Sequence, residues 1–217
     1  MQRFSTFIFD VDGTLAQTNK LIFESFRHVA KKYLNKVVSD EEIISLFGPT
    51  EDVILKEWIK DDYEAARKDY FDFYYSMHDT YVNKFEGLEE ILKMLKSSKR
   101  NLAIFTGKGN DSCRITLDKI GFSDYFDFIS TGDNATNHKP APDGIVDALK
   151  HYDVSNEEVL MIGDSPHDVQ ASQSAKVKIA SVMWDCYAKT EVLALKPDYV
   201  FNTVEELKIF VESNLKN

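Results

Sequence analysis

The sequence predicts an α/β fold: a doubly wound parallel sheet, interrupted soon after its first strand by an inserted all-α helical bundle. Three observations carry this. Short apolar runs recur that are near-continuous rather than alternating, as in strands buried on both faces. Helix-period stretches lie between them, the alternation that builds βαβ units. The segment 16–85 breaks that alternation, with helical patterns and no strand pattern.

The runs, in order, are Thr6–Phe9, Leu102–Phe105, Phe126–Ile129, Val159–Ile162, Ile179–Met183 and Tyr199–Phe201. Between them, Leu88, Ile91, Leu92 and Leu95 follow helical spacing, and Ile115 to Ile120 ends at Gly121, a helix-stopping position. Ile145, Ala148 and Leu149 follow Pro142, and Thr203 with Glu206 reads as a capping box ahead of Leu207, Phe210 and Val211. In the insert, Ile22, Phe26, Val29 and Tyr33 form one helical stripe. Ser39 and Glu42 cap a second helix through Phe47, Val53–Ile59 reads as a third, and Tyr63–Tyr81 as a long aromatic-rich fourth. The expected division is a core of 1–15 and 86–217 and a cap of 16–85. An insert placed just after the first strand hangs over the carboxyl ends of the strands, where open α/β sheets bind ligands.

Composition narrows the function. The chain of 217 residues is 43% hydrophobic and 29% charged, as soluble globular proteins are. Its net charge of −10 repels a phosphate backbone and argues against nucleic acid as a partner. A small anionic substrate would need local cations. Cys113 and Cys186 are too few for a disulfide framework. No apolar run approaches the ~18 residues of a membrane span, and Phe7-Ile8-Phe9 is too short for a signal-peptide core. A cytoplasmic protein with no membrane partner is expected. Monomer and homodimer are equally open.

Four polar clusters sit where strands are expected to end: Asp10-Val11-Asp12-Gly13-Thr14, Thr106-Gly107-Lys108, His138-Lys139-Pro140-Ala141-Pro142 and Gly163-Asp164-Ser165-Pro166-His167-Asp168. Each alone is ordinary. Asp-x-Asp-Gly makes turns, a lone lysine is usually solvated, and Ser165 with Asp168 can be a capping box with Pro166 at its first turn. Their joint order is not ordinary. Two aspartate clusters facing one cleft repel unless a cation lies between them, and oxygen-only ligands suit Mg²⁺. A carboxylate can also be a phosphoryl-accepting nucleophile, with lysine, threonine and strand-end amides stabilising the transferred group.

This set resembles the haloacid dehalogenase superfamily, on its phosphatase branch with a helical cap, over nearly the whole chain. The resemblance implies a Rossmann-like core and a role at each matching position. Asp10 would attack phosphorus and bind Mg²⁺. Asp12 would serve as acid and then base, its main-chain carbonyl reaching the metal. Thr106 and the Gly107 amide would hold a phosphoryl oxygen, and Lys139 would offset charge. Asp164 would ligate the metal, and Asp168 would ligate it or anchor its waters. An acid at Asp12 favours phosphoester chemistry over dehalogenation. Phosphoglycolate-, pyrophosphate- and nucleotide-type phosphatases, all acting on small phosphorylated metabolites, fit equally.

A sugar-phosphate mutase of the β-phosphoglucomutase type also keeps both acids. Mutases commonly carry an Arg soon after the cap-loop Gly, whereas Gly48 is followed by Pro49, Thr50, Glu51 and Asp52, with Lys56 the first nearby cation. A non-catalytic family member is a third reading, countered by the intact acids and lysine. Gly48 is expected to reach the substrate, and so is Lys108. The aromatic set Tyr70, Phe71, Phe73, Tyr74, Tyr75 and Tyr81 reads as cap core, and His138 and His167 as packing residues. The chain departs from the usual family text at Glu86 before Gly87, at Lys176 after Ala175 and at Asp185 after Trp184.

Overall fold

The computed structural model describes residues 3–216; Met1, Gln2 and Asn217, included in the expected core boundaries, lie outside the described residues. The chain opens with β1 (Thr6–Phe9) and β2 (Ala16–Gln17), then α1 (Asn19–Leu34), α2 (Asp40–Ile44), α3 (Glu51–Trp58), α4 (Tyr63–Tyr81) and β3 (Asn83–Lys84). It continues through α5 (Leu88–Ser97), β4 (Asn101–Phe105), α6 (Asn110–Ile120), β5 (Phe128–Ser130), α7 (Asp143–Tyr152) and β6 (Val159–Gly163). It ends with α8 (Pro166–Ala175), β7 (Lys178–Val182), α9 (Lys189–Ala194), β8 (Tyr199–Phe201) and α10 (Val204–Lys216).

The six apolar runs form one parallel sheet ordered β5-β4-β1-β6-β7-β8. With β2 and β3 set aside, this is the doubly wound order 3-2-1-4-5-6, whose ligand crevice opens beside the first strand. Strand residues alternate between two buried layers. Phe7 and Phe9 join Ile91, Leu117 and Phe210 on one face, while Ile8 joins Ile145, Val169 and Val192 on the other. Burial on both faces explains why the runs of the four inner strands lack polar alternation, whereas the edge strands β5 and β8 leave Ile129 and Val200 exposed.

Capping holds where the sequence signals it. Ser39 and Glu42 form a reciprocal capping box, as do Ser165 and Asp168. Gly121 ends α6 in the left-handed conformation at φ 75°. Glu206 N donates to Thr203 Oγ1, but the Glu206 carboxylate accepts from Asn202 N, so that box is displaced by one residue.

Several boundaries differ from expectation. The third sheet strand begins at Phe128 because a short helical turn occupies Ser123–Tyr125. The second insert helix stops at Ile44, and a turn carries the chain to Phe47. The stretch expected to lack strands holds β2 and β3, paired antiparallel through Ala16↔Lys84 and Gln17↔Asn83 where the chain enters and leaves the insert. Two residues per strand are too few to leave a periodic signal. Helix α9, not expected, buries only Val192. In the insert, α1 and α4 pack together, and α4 lies along α6 of the core. No helix among the described residues is long and apolar enough to cross a membrane.

Candidate active site

Strand register brings the polar clusters together. Phe9 pairs with Ile104 on one side and Ile162 on the other, so Asp10, Thr106 and Asp164 emerge from three adjacent strands near one level. The Asp10 amide donates to Ile162 O at 2.9 Å, and the Thr106 amide to Ser130 O at 3.0 Å. Beyond Asp10 the chain turns at once, with Gly13 at φ +72° and its amide on Ala16 O. That turn admits no side chain, since a Cβ at Gly13 would overlap Asp164 Oδ2. Gly163 is held likewise, because a Cβ there would overlap the Asp168 carboxylate.

Asp10, Asp164 and Asp168 are all buried, and each offers an oxygen within 4.8 Å of the others. Lys139 Nζ joins two of them, at 2.8 Å from Asp10 Oδ1 and 2.5 Å from Asp168 Oδ1. The other Asp168 oxygen accepts from Ser165 Oγ at 2.7 Å and Ser165 N at 3.0 Å. Capping residue and site residue are therefore the same side chain. Burial, with the neighbouring Asp168 and Asp12 charges, pushes Asp10 up to about 7 against the pull of Lys139. Burial first, then Asp10 and Asp168, hold Asp164 well above the carboxylate range. Lys139 loses by burial but stays above its ordinary value through Asp10 and Asp168.

Asp12 stands apart from this cluster. Its carboxylate accepts from Lys108 Nζ at 3.0 and 3.2 Å and from the Thr18 hydroxyl. The Lys108 side chain is 1% exposed, and its ammonium lies 5.2 Å from the Tyr74 ring centre. Burial opposes its charge, and Asp12 more than restores it. Two aspartates on one turn thus occupy different settings, one among carboxylates and one against a lysine and a hydroxyl.

Both open on one cavity of about 170 Å³, with Thr106, Gly107, Lys108, Lys139 and Asp164 on the core side. The insert supplies Asn19, Ile22, Phe26, Phe47, Gly48, Pro49, Glu51 and Ile54, a wall without a cation. His138 and His167 also line it, rather than serving only as packing residues. The aromatic set divides. Tyr70 and Tyr74 are fully buried, with Tyr74 Oη 2.8 Å from Thr116 Oγ1, whereas Tyr75 is exposed under Lys119. Sequence reasoning missed Thr18, which meets Asp12, and Tyr187, which lines the cavity, because both lie outside the four clusters; Glu51 stood in the cap-loop stretch after Gly48 but was given no role of its own.

The carboxylate cluster fits a hard divalent cation. Three buried carboxyl groups face one lysine, their donors are oxygens only, and burial first, with the neighbouring carboxylates second, raises Asp10 and Asp164, a rise that a cation would oppose. Residues 7–182 match the model of the haloacid dehalogenase-like hydrolases. A pyrophosphatase PpaX of Bacillus cereus is 31% identical over 205 residues, 94% of this chain and 95% of that protein. A Caldanaerobacter subterraneus subsp. tengcongensis protein, provisionally given the same name, is 33% identical over 200 residues, covering 92% and 91%. A Thermotoga maritima structure provisionally named a β-phosphoglucomutase superposes with a TM-score of 0.75 at 28% identity, covering 96% of this chain and 99% of that one.

Proposed function

The chain belongs to the haloacid dehalogenase-like hydrolases, and from that premise we propose that it is a Mg²⁺-dependent phosphatase acting on a small phosphorylated metabolite through a phosphoryl group carried on Asp10. The observation that carries this is the separation of Asp10, on Lys139 and beside Asp164 and Asp168, from Asp12, on Lys108. The first setting gathers the carboxylates that would share a cation, whose charge would keep Asp10 ionised for attack, and the second keeps Asp12 off that cluster while it faces the same cavity.

An Asp10 oxygen attacks phosphorus in line, and the bond from phosphorus to the leaving oxygen breaks as Asp12 delivers a proton to that oxygen. Asp12 then takes a proton from the water that attacks the acyl phosphate, which frees phosphate and regenerates Asp10. The Thr106 hydroxyl and Gly107 amide hold a non-bridging oxygen, and Lys139 balances charge on Asp10 and the phosphoryl group. Asp10, Asp164 and the Asp12 carbonyl would hold Mg²⁺, with Asp168 orienting the site through Lys139 and Ser165. The ion would supply positive charge to offset the carboxylates and the charge on the transferred phosphoryl group.

The cavity is smaller than the ~300 Å³ at which drug-sized sites begin, which favours a leaving group of few atoms over a nucleoside. The names of the PpaX relatives favour inorganic pyrophosphate within that class. The Thermotoga likeness keeps a mutase as the second reading, but the cation-free insert wall does not favour a second phosphate there. The test is phosphate release from pyrophosphate, phosphoglycolate, sugar phosphates and nucleotides, with Mg²⁺ and with EDTA. Release from one of the small substrates, lost in EDTA and restored by Mg²⁺, is expected. Sugar-phosphate isomerisation without release would replace this reading with the mutase.

A further inference from the structure

The insert touches the core along α6 in a graded series. Nearest β3, Asp79 of α4 meets Lys119 at 3.0 Å; then Tyr74 meets Thr116, and Arg67 bridges Asp52 and Asp111 at 2.7 and 2.6 Å. At the far end, beside the cavity, stands Glu51, the first residue of α3. It is 7% exposed. Its Oε2 accepts from the Gly109 amide at 2.8 Å, and its Oε1 accepts from Ser112 Oγ at 2.5 Å. A carboxylate of the insert therefore caps the N-terminus of a core helix, where orphan amides and the helix dipole favour an anion. Gly109 makes the approach close: a Cβ there would lie 2.8 Å from Glu51 Oε2.

The segments that Glu51 joins are those that matter for substrate. Immediately before it, Phe47, Gly48 and Pro49 form part of the cavity wall. Thr50 is buried, and a Cβ at Gly132 of the core would lie 2.5 Å from its methyl. On the core side, Gly109 ends the loop that holds Thr106 and Gly107. The core braces that loop through Thr106 N to Ser130 O at 3.0 Å and Gly132 N to Lys108 O at 2.8 Å. The Gly109 amide is the point at which the insert completes the bracing. Both Glu51 oxygens are used internally, so the carboxylate is committed to the protein rather than to a ligand.

We propose that Glu51 is a positioning residue that clamps the Phe47–Thr50 wall onto the Thr106–Gly109 loop, so that closure of the insert and placement of the phosphate-holding amides are one event. The kinetic consequence rests on the phosphatase reading; the clamp itself does not. Its loss frees the wall and the loop together, which weakens substrate binding as well as slowing turnover. Simple loss of folded protein would lower apparent kcat at constant KM.

The test uses the full chain with Mg²⁺ and pyrophosphate, alongside hydrogen exchange of the metal-free protein. Glu51→Ala should accelerate exchange in 106–113 and 47–55 by at least about tenfold, with the sheet strands unchanged. It should raise KM by about tenfold. Glu51→Gln, whose amide can accept from Gly109 and pair with Ser112, should restore both to within about threefold, and Ser112→Ala should fall between. Unchanged exchange in Glu51→Ala, or a loss confined to kcat, would overturn the clamp. If the unmodified protein releases no phosphate from pyrophosphate or the other small substrates, the phosphatase reading fails and the exchange arm alone decides the clamp. If Glu51→Ala does not fold, Ser112→Ala carries the same exchange and KM criteria.

Discussion

Gly13 in the core and Gly48 in the insert both hold a positive φ, +72° and +137°, yet their surroundings are opposite. A Cβ at Gly13 would overlap Asp164, whereas one at Gly48 would meet nothing within 4 Å. The core side is built at contact distance: backbone register, two crowded glycines and Lys139 leave its carboxylates one arrangement. The insert side is a largely apolar wall without a cation, tied to the Thr106–Gly109 loop through Glu51. The charged groups are fixed on one side of the cavity, and the other side offers a wall with few polar groups.

The largest expected effect tests whether chemistry resides wholly on the core side. Asp10→Asn should lower phosphate release by more than about 1,000-fold. Circular dichroism and a Tm at or above that of the unmodified protein should show the fold intact, since a buried carboxyl group is replaced by a neutral isostere. Residual activity near normal would dissolve the distinction between the two sides.

Next comes the glycine pair itself. Gly13→Ala combines a left-handed backbone with overlap on Asp164 and should cost about 2–4 kcal/mol in denaturant unfolding, whereas Gly48→Ala meets backbone strain alone and should cost about 1–2 kcal/mol. Equal costs would mean that the core is no more tightly determined than the insert.

The crowded carboxylates also predict a pH dependence. Asp10 stands near about 7 in the folded protein, above its unfolded value of about 4. In EDTA the folded state keeps that proton where the unfolded chain has lost it, so Tm should fall as pH rises from about 5 to about 7.5. Mg²⁺, which binds the ionised form, should raise Tm more at the upper end of that range. A flat metal-free profile would show that the crowding is relieved by other means.

The smallest effect lies outside both sides of the cavity. Lys176 ends α8 at φ 57°, a left-handed position where a glycine carries no Cβ penalty. Lys176→Gly should stabilise the core by up to about 1 kcal/mol and leave kinetics unchanged. A destabilisation would show that the lysine has contacts of its own.

Much of this molecule is legible in its sequence, and for physical reasons. Strands buried on both faces must be apolar throughout, so Thr6–Phe9 and Val159–Ile162 announce themselves, and capping chemistry marks Ser39 and Ser165. The elements that escaped were those held by tertiary contact alone. The two-residue pair β2 and β3 exists because the two insert crossings lie side by side, and α9 has one buried residue to mark it. In the site, Asp10, Thr106 and Asp164 stand at strand ends and Lys139 in the loop after β5, in a telling order. Thr18 and Glu51 carry no local signature, because each acquires its meaning from a partner across a turn or across the chain, Asp12 in one case and Gly109 in the other.

By itself the sequence determined the sheet, the place of the insert and the chemical types gathered at the strand ends, because those follow from local periodicity and from connections that bring successive strand ends to one face. Only the tertiary structure decided which charge meets which. It set Lys139 between Asp10 and Asp168, committed Lys108 to Asp12 and fixed the Glu51 carboxylate, at the cavity wall, on a helix end. Electrostatic pairing depends on distances of a few ångströms between residues as many as 129 positions apart, and sequence spacing does not encode distance at that range.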